Sequence, residues 1–265
     1  MLYFVSTPVG NLKDISLRAL EVLRSVDLIA CEDTRTSLKL LNHYEIKKPL
    51  VSYHKFNEKT AGERLIAELL SGKSIALITD AGTPVISDPG NVLARMLIDA
   101  GVEYTVVPGA TAFVPALILS GMDASKFCFI GFLPEKKRDA EELLSKYKEL
   151  DCTLIFYCAP HDIHKTVQTL YKGLGDRKAA TVKEITKLHE RVDRFNLSEG
   201  YPEENPRGEF VIIVEGGKAE NPNLELSVKD HIALYESQGL STMDAVKAVA
   251  KERKMPKSEV YKYTI

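Results

Sequence analysis

The sequence contains little that points to metal or disulfide chemistry. One H-x-x-H pair, His161 and His164, has no third ligand nearby in the sequence, so we predict no metal centre. The four cysteines lie far apart and form no C-x-x-C pair: Cys31, Cys128, Cys152 and Cys158. Such spacing is typical of reduced thiols within strands and argues against a disulfide framework or a zinc site.

Long apolar runs and a strong excess of charge are also missing. No run of apolar residues approaches the roughly 18 that a membrane span requires. The N-terminal MLYFVSTPVG lacks a basic region, which argues against a signal peptide. We therefore expect a cytoplasmic protein without a membrane partner. The formal net charge of -2 excludes a global positive field, so contact with nucleic acid would require a local basic patch.

The common phosphate-binding loops are absent as well. The sequence has no G-x-G-x-x-G, and Gly72-Lys73-Ser74 is not a P-loop because Ala67 occupies the position of the first glycine. Serine and cysteine have no nucleophile motif around them. These absences favour a cofactor that brings its own reactivity to a site of small residues and backbone groups.

What the sequence does contain is a repeated strand-and-turn pattern, clearest at Ile75–Gly90. Ile75–Ile78 is a continuous apolar run, as expected of a central parallel strand that is buried on both faces. A glycine-containing turn with the carboxylate of Asp80 follows directly. Similar turns follow the predicted strands Leu2–Ser6 and Tyr104–Val107. If the strands are parallel, the three turns share one rim, where open α/β sheets bind ligands.

Strand and helix patterns alternate through the N-terminal half, which predicts an α/β fold with a parallel or mostly parallel sheet. After Gly121 the pattern becomes mixed α+β, and Lys218–Asn223 forms a polar linker. We expect an N-terminal α/β domain (1–119) with the cofactor loops, a second α/β domain (120–219) that closes the cleft, and a C-terminal helical domain (224–265). The predicted helices include Leu38–Tyr44, Ala61–Leu70, Asn91–Ala100, Arg138–Leu150 and His161–Tyr171.

The tail from Leu226 to Ile265 has a purely helical pattern. Ser241 and Asp244 resemble a capping box, and Pro256 is placed to begin another helix. The spacing resembles a helix-turn-helix, and basic charge beside tyrosines favours RNA or DNA contact. A solvated helical hairpin or a dimer contact fits the spacing equally well. The lysines expected to contact RNA are Lys251, Lys254, Lys257 and Lys262.

Six motifs together resemble one known family. They are STPVGNL at 6–12, CEDTR at 31–35, TDAGTPVISDPG at 79–90, VPGATA at 107–112, LIFYCAPH at 154–161 and VYKY at 260–263. The chain thereby resembles the ribosomal RNA small-subunit methyltransferase I family, a group of tetrapyrrole-methylase-like, class III S-adenosylmethionine-dependent enzymes. The resemblance implies two α/β domains with the cofactor between them, an RNA-contacting helical domain and a homodimer. It also implies 2′-O-methylation of a cytidine ribose in the decoding region of 16S rRNA in the 30S subunit.

The resemblance and the turns together select candidate cofactor residues. Asp80 is the first choice, as a hydrogen-bond acceptor or as a residue that shapes the loop; an Asx contact within the turn is the alternative. Tyr157 either contacts the adenine or the sulfonium or belongs to the core. The full set of expected cofactor contacts is Thr7, Pro8, Gly10, Asp80, Ala81, Gly82, Thr83, Pro108, Gly109 and Tyr157.

Glu32, Asp33 and Arg35 form a charged group at the end of a predicted strand. One carboxylate would orient or deprotonate the ribose hydroxyl, and Arg35 would contact phosphate. Because a bare carboxylate is a weak base, we expect orientation in preference to proton abstraction. The alternative is a helix N-cap cluster with an ion pair.

Several positions depart from the usual pattern of the family. The cofactor turns of the N-terminal domain keep nearly all of the family pattern. Residues that the second domain contributes to the site depart from it. Two further functions therefore stay open: a small-molecule methyltransferase acting on a tetrapyrrole-like acid, and a catalytically reduced relative that binds ribosomes. The departing residues are Phe56, Ala110, Cys158, Asp162 and Lys183.

Overall fold

The computed structural model describes residues 1–217 and 222–264. The described residues form two compact units, the first made of residues 1–148 and 152–217 and the second dominated by the C-terminal helices. Residues 218–221 of the predicted linker lie outside the described residues, as does residue 265. Within the described ranges, no helix is long and apolar enough to cross a membrane.

The first unit contains two sheets, of which the N-terminal one is entirely parallel. Its strands lie in the order β3-β2-β4-β1-β5. Every residue of β4 is buried, which confirms the predicted central strand. Because the strands are parallel, the turns that follow them lie at one edge of the sheet. The strands are β1 (Leu2–Val5), β2 (Leu28–Cys31), β3 (Leu50–Ser52), β4 (Ile75–Ile78) and β5 (Tyr104–Val107).

Helices connect these strands and cover both faces of the sheet. Two of them begin earlier than predicted, because the apolar pattern marks only their buried turns. The second helix begins at Thr34 since the side chain of Asp33 caps it, accepting from the Arg35 backbone N–H at 2.8 Å. The helices are α1 (Leu17–Ser25), α2 (Thr34–His43), α3 (Glu58–Leu70), α4 (Asn91–Asp99) and α5 (Phe113–Ser120).

Helix α5 was not predicted, because Pro115 lies in its first turn. Proline is tolerated there, since the first N–H groups of a helix have no partner within it. Although α5 follows the N-terminal sheet, its Ala116 and Leu117 pack in a cluster with residues of the second sheet. The predicted boundary at residue 119 thus falls within a helix that packs on the second sheet, and the domain limits stay a prediction.

The second sheet is mixed, in agreement with the predicted α+β pattern. Strands β6 and β7 pair in parallel, and the remaining pairs are antiparallel, in the order β6-β7-β10-β8-β9. Apolar residues of two helices pack on the face opposite α5. The elements are β6 (Phe127–Phe132), α6 (Lys137–Tyr147), β7 (Thr153–Cys158), α7 (Ile163–Leu174), β8 (Lys178–Lys183), β9 (Arg191–Asn196) and β10 (Phe210–Val214).

The C-terminal unit has a small core of its own. Its helices are α8 (Val228–Ser237), α9 (Thr242–Glu252) and α10 (Lys257–Val260). The Ser241 hydroxyl accepts from the Asp244 backbone N–H at 3.3 Å, which confirms the predicted start of α9. Pro256 is the N-cap residue of α10, also as predicted. The apolar residues at the centre are Ile232, Ala245, Val246, Val249, Ala250 and Val260.

Candidate functional site

The turns after β1, β4 and β5 meet at the carboxyl edge of the N-terminal sheet, as the sequence predicts. The backbone N–H of Thr7 donates to the Gly82 carbonyl at 2.8 Å, and the Gly82 N–H donates back to Thr7 at 3.1 Å. The Thr83 hydroxyl donates to the Ala110 carbonyl at 3.0 Å and lies 2.8 Å from the hydroxyl of Ser6. These bonds join three turns into one wall.

A cavity of about 380 Å³ opens beside this wall. Four of the predicted cofactor residues line it: Ala81, Gly82, Thr83 and Tyr157. The other six belong to the same turns but do not line the cavity: Thr7, Pro8, Gly10, Asp80, Pro108 and Gly109. Thr7 is buried and stabilises the turn after β4, since its hydroxyl donates to the Thr79 carbonyl at 3.1 Å.

The predicted glycines have different structural roles. Gly82 has a φ of +82°, a conformation that favours glycine. A Cβ at Gly10 would lie 2.4 Å from the Lys187 Cγ and 2.8 Å from the Ile185 carbonyl oxygen. A Cβ at Gly109 would lie 2.9 Å from the Ser6 Cβ. Gly10 and Gly109 therefore permit close packing of protein on protein, and Gly82 shapes the cavity wall.

Residues that the sequence analysis did not select complete the cavity. Ile86, Ser87 and Asp88 come from the second half of the β4 turn, whose S-D-P-G sequence was a visible signal. Cys158, Ala159 and Pro160 belong to the LIFYCAPH motif. The other residues from the second sheet and its loops carry no local motif, because strand pairing alone brings them to this place. They include Phe132, Ile185, Glu209, Phe210 and Val211.

The predicted catalytic group lies at the rim and is not among the residues that line the cavity. The Asp33 carboxylate holds the Arg35 guanidinium in two hydrogen bonds, at 2.7 and 3.1 Å. The side chain and backbone N–H of Arg35 lower the pKa of Asp33 to about 2. The Arg35 side chain is 88% exposed. The structure thus shows an N-cap with an ion pair at Asp33, and leaves Arg35 open to solvent.

Three carboxyl groups lie near one another beside this ion pair. The Asp33 backbone N–H donates to Asp80 Oδ1 at 3.3 Å. Burial, followed by the charge of Asp80, raises the pKa of Glu32, and burial also raises the pKa of Asp80. Burial together with the charges of Glu32 and Asp80 raises the pKa of Asp88 to about 7. No group of acidic, histidine or cysteine side chains in the described residues is arranged to hold a metal ion.

Tyr157 forms part of an aromatic wall on the opposite side of the cavity. Its ring meets Phe129 and Phe132 edge-on, with centroid distances of 4.9 and 5.6 Å. Burial raises the pKa of its hydroxyl to about 12. A neutral aromatic surface of this kind suits contact with a flat heterocycle or a cation.

The positions that depart from the family pattern have local partners here. The Cys158 thiol is buried 3.4 Å from the Thr166 hydroxyl, and burial raises its pKa to about 11. The Lys183 ammonium binds Glu203 at 2.9 Å, and Asp162 lies 3.2 Å from His161. The Phe56 side chain is 94% exposed in the loop before α3. Ala110 contributes its backbone carbonyl to the joined turns.

The lysines predicted to contact RNA lie in the C-terminal unit. All are exposed, and Lys247 on the same unit is paired with Asp244 at 2.8 Å. Tyr261 and Tyr263, which follow α10, are 48% and 45% exposed. The four lysines are Lys251, Lys254, Lys257 and Lys262.

Comparison with known proteins first defines the class of the fold. The family described as Tetrapyrrole (Corrin/Porphyrin) Methylases matches residues 1–200. A crystal structure of diphthine synthase aligns with a TM-score of 0.63 at 19% identity, over 81% of this chain and 89% of that one. The first unit therefore has the class III methyltransferase fold of the tetrapyrrole methylases, which confirms the predicted fold class.

The sequence relatives define the family within that class. Proteins named ribosomal RNA small subunit methyltransferase I are 43% identical in Bacillus subtilis (98% of this chain, 92% of the relative) and 42% identical in Halalkalibacterium halodurans (98% and 93%). This chain belongs to the ribosomal RNA small subunit methyltransferase I family, as its motifs predicted.

Proposed function

We propose that this chain transfers a methyl group from S-adenosylmethionine to the ribose 2′-hydroxyl of a cytidine in the decoding region of 16S rRNA. The observation that carries this proposal is the cavity beside the joined turns, which contain the STPVGNL, TDAGTPVISDPG and VPGATA motifs. The names of the relatives, at 43% and 42% identity over 98% of the chain, support an rRNA substrate.

The lining of the cavity fits S-adenosylmethionine in size and chemistry. Its volume of about 380 Å³ is typical of small-molecule sites. Gly82 uses its backbone groups to bind Thr7, so the backbone of Ala81 and the N–H of Thr83 are the groups of this turn that would bind an adenosine. Tyr157 offers an aromatic face for its base or its sulfonium. The buried Thr79 hydroxyl, next to this turn, has no full hydrogen-bond partner among the described residues. When bound, the cofactor supplies an activated methyl group, so the protein contributes mainly position.

The residues selected from the sequence have distinct roles in this proposal. Ala81, Gly82, Thr83 and Tyr157 contact the cofactor, and Asp80 holds the loop through Asp33. Thr7, Pro8, Gly10, Pro108 and Gly109 fix the wall behind it. At the rim, Glu32 orients the incoming ribose, Asp33 anchors α2 and Arg35 meets a phosphate of the RNA.

The C-terminal unit supplies the main electrostatic contact with RNA in this proposal. Lys251, Lys254, Lys257 and Lys262 are exposed cations, and cations that neutralise phosphates provide most of the sequence-independent affinity for RNA. We propose the 30S subunit as the substrate and a homodimer as the assembly, in keeping with the family resemblance.

The test is transfer of labelled methyl groups from S-adenosylmethionine to purified 30S subunits, followed by nucleoside analysis. Labelled 2′-O-methylcytidine is the expected product. Label in a different nucleoside, or none at all while S-adenosylhomocysteine still binds, would contradict the proposal; the second result would favour a relative that binds ribosomes without catalysis. Replacement of Glu32 by alanine should reduce transfer, whereas Glu103→Ala, an exposed change before β5, should not.

A further inference from the structure

Two carboxylates line the cavity, Asp88 and Glu209. Glu209 is already engaged, because its Oε2 accepts a hydrogen bond from the Lys187 ammonium at 3.0 Å. Asp88 forms no ion pair with any residue in the described ranges, and its nearest charged neighbours, Glu32 and Asp80, are themselves acidic. Asp88 is therefore the carboxyl group of the cavity that is available to a ligand.

The surroundings of Asp88 favour the protonated carboxylic acid over the carboxylate. Partial burial makes the largest contribution, and the negative charges of Glu32 and Asp80 add to it, so the pKa rises to about 7. Tyr157 also lines the cavity, and burial together with the charge of Asp88 raises the pKa of its hydroxyl, so this neutral group brings no compensating charge. The Thr79 hydroxyl lowers the pKa slightly but is too poorly placed for a full hydrogen bond. A base with a pKa near neutrality is well matched to proton transfer at physiological pH.

The backbone around Asp88 is held firmly in an unusual conformation. Val85 and Ser87 have φ angles of +78° and +66°, which are rare for residues other than glycine. The Gly90 backbone N–H, two residues after Asp88, donates to Glu58 Oε1 at 2.9 Å and so ties the turn to α3. Gly131 of β6 allows the second sheet to approach this turn closely, since a Cβ at Gly131 would lie 3.0 Å from the Ser87 hydroxyl oxygen. Strained turns that are fixed on two sides are typical of functional loops.

We propose that Asp88 is the catalytic base, and that its carboxylate accepts the proton of the ribose 2′-hydroxyl during methyl transfer. This inference rests on the proposed function and adds a residue to it. The hydroxyl oxygen forms a bond to the methyl carbon as the carbon–sulfur bond breaks, and the electron pair of that bond stays on sulfur. The O–H proton passes to Asp88, which becomes a neutral carboxylic acid and releases the proton to water after the product leaves.

The position of Asp88 gives Glu32 a second role besides orientation of the ribose. Glu32 lies at the rim and does not line the cavity, but its charge contributes to the high pKa of Asp88. Glu32 is thus a positioning residue in this scheme, because it acts through Asp88. The two carboxyl groups are expected to respond differently to substitution, since removal of Glu32 leaves the base in place.

The experiment compares Asp88→Asn with the wild-type protein and with Asp99→Asn, an exposed change at the end of α4. Asp88→Asn keeps the shape of the side chain but cannot accept the proton, so kcat for 30S methylation should fall by about 10²–10⁴-fold. The wild-type rate should rise with pH near 7, and the residual rate of Asp88→Asn should not show this rise. The affinity for S-adenosylhomocysteine, measured by calorimetry, should stay within about threefold, because a base contributes to the transition state more than to ground-state binding. Asp99→Asn should match the wild type in all three measurements.

A measurement without cofactor or RNA tests the state of Asp88 directly. Because the folded-state pKa of Asp88 is raised above the unfolded one, the contribution of Asp88 to wild-type stability falls as pH rises from about 4 to about 7. Asn cannot titrate, so the midpoint temperature of Asp88→Asn should exceed that of the wild type at pH 8, and the difference should shrink toward pH 5. Asp99→Asn is measured in the same pH series as the control for loss of one exposed carboxyl group.

Each possible result has a clear meaning. A wild-type protein that methylates no ribose refutes the proposed function. An active wild type with an unchanged Asp88→Asn rate, or with an unchanged pH profile, overturns the present inference alone. A loss of S-adenosylhomocysteine affinity as large as the loss of rate also overturns it, because Asp88 would then be a cofactor-binding residue. A stability difference that does not depend on pH overturns it as well.

Discussion

Interactions with neighbouring residues and burial fix the protonation state of several polar side chains around the cavity. This limits the chemistry that these side chains can perform. The Asp33 carboxylate binds Arg35, and its pKa of about 2 makes it a poor proton acceptor at neutral pH. The Cys158 thiol stays neutral, because burial raises its pKa to about 11. Neither residue suits a role as base or nucleophile, in contrast to Asp88.

Gly82 allows a prediction about the cavity wall. Alanine at its φ of +82° should cost about 1 kcal/mol in the free energy of unfolding. The new methyl group would meet the Ala110 carbonyl oxygen and the Val9 side chain at ordinary contact distances of 3.8 and 3.9 Å, so backbone strain at the junction of the turns, and not a clash, would disturb the wall. We expect the affinity for S-adenosylhomocysteine to fall about tenfold, or about 1.4 kcal/mol, by calorimetry.

Gly72 offers a matched control for this substitution. Its φ is +95°, and a Cβ there would meet no atom within 4 Å. Gly72→Ala should therefore have a similar effect on stability and none on cofactor affinity. Equal losses of affinity in the two variants would show that strain alone, and not the position of Gly82, explains the result.

The pair Lys183 and Glu203 shows how this chain stabilises a position that departs from its family. The side chains are 14% and 26% exposed and lie 2.9 Å apart. Lys183→Met would remove the charged partner of the carboxylate and leave the Tyr201 hydroxyl, which donates to Glu203 at 3.2 Å. The unfolding free energy at pH 7 should therefore fall by about 1–3 kcal/mol in urea titrations. Because Lys183 lowers the pKa of Glu203, this contribution should disappear as the pH falls through the carboxylate pKa.

An exposed pair provides the comparison. Lys146 and Glu142 lie 3.1 Å apart on α6, with side chains 63% and 65% exposed. Lys146→Met should cost no more than about 0.5 kcal/mol, since solvent screens such pairs. A loss at Lys183 as small as the loss at Lys146 would indicate that burial does not strengthen the inner pair.

At the scale of elements, β4 is the strand on which the cavity depends. Its residues are buried on both faces, and its end carries the turn with Gly82 and Asp88. Leu77 is 1% exposed within one of the two apolar clusters that flank the sheet. The geometry of the cavity wall is therefore coupled to the packing of this strand.

Leu77→Ala is expected to remove about 2–5 kcal/mol of unfolding free energy, because it deletes buried methyl groups and leaves a void. Chemical denaturation measures this change. Leu70→Ala makes the same substitution at a residue that is 66% exposed, and should change stability by no more than about 0.5 kcal/mol. Similar losses in both variants would contradict the central position of β4.

At the scale of the whole molecule, charge is distributed unevenly even though the formal net charge is only -2. The tail carries exposed lysines, and the cavity carries the acidic side chains of Asp88 and Glu209. If the tail binds RNA as proposed, its lysines would attract phosphates mainly at short range, since salt screens charges over roughly 10 Å.

The tail lysines give a prediction on RNA affinity. Substitution of all four by glutamine should weaken binding to 30S subunits and should reduce the slope of log affinity against log salt by up to about 0.7 for each phosphate contact that is lost. Filter binding at several salt concentrations measures both quantities. The substituted residues are Lys251, Lys254, Lys257 and Lys262.

A control with the same change in net charge uses lysines at the strand ends that are remote from the cavity. Lys47 and Lys48 precede β3, Lys126 precedes β6, and Lys178 is the first residue of β8. This variant should keep the wild-type salt slope. A slope that falls equally in both variants would show that total charge, and not the tail, determines the attraction.

Local sequence patterns were sufficient for most individual elements. The apolar run of β4, the Ser241 cap and the turn residues after β1, β4 and β5 each identified their structure, because burial and turn geometry depend on nearby residues. Helix α5 was missed, since Pro115 is usually a sign of a helix end and is tolerated here only in the first turn.

The sequence by itself determined the family, the α/β class and the meeting of three turns at one rim, because motifs and periodicity are local properties. Tertiary structure alone decided which carboxyl group faces the cavity. Asp88 acquires its high pKa from Glu32, Asp80 and burial, and its neighbours Phe132 and Val211 come from another sheet. Such an environment is a sum over residues that are distant in the chain, so folding must bring them together before the property exists.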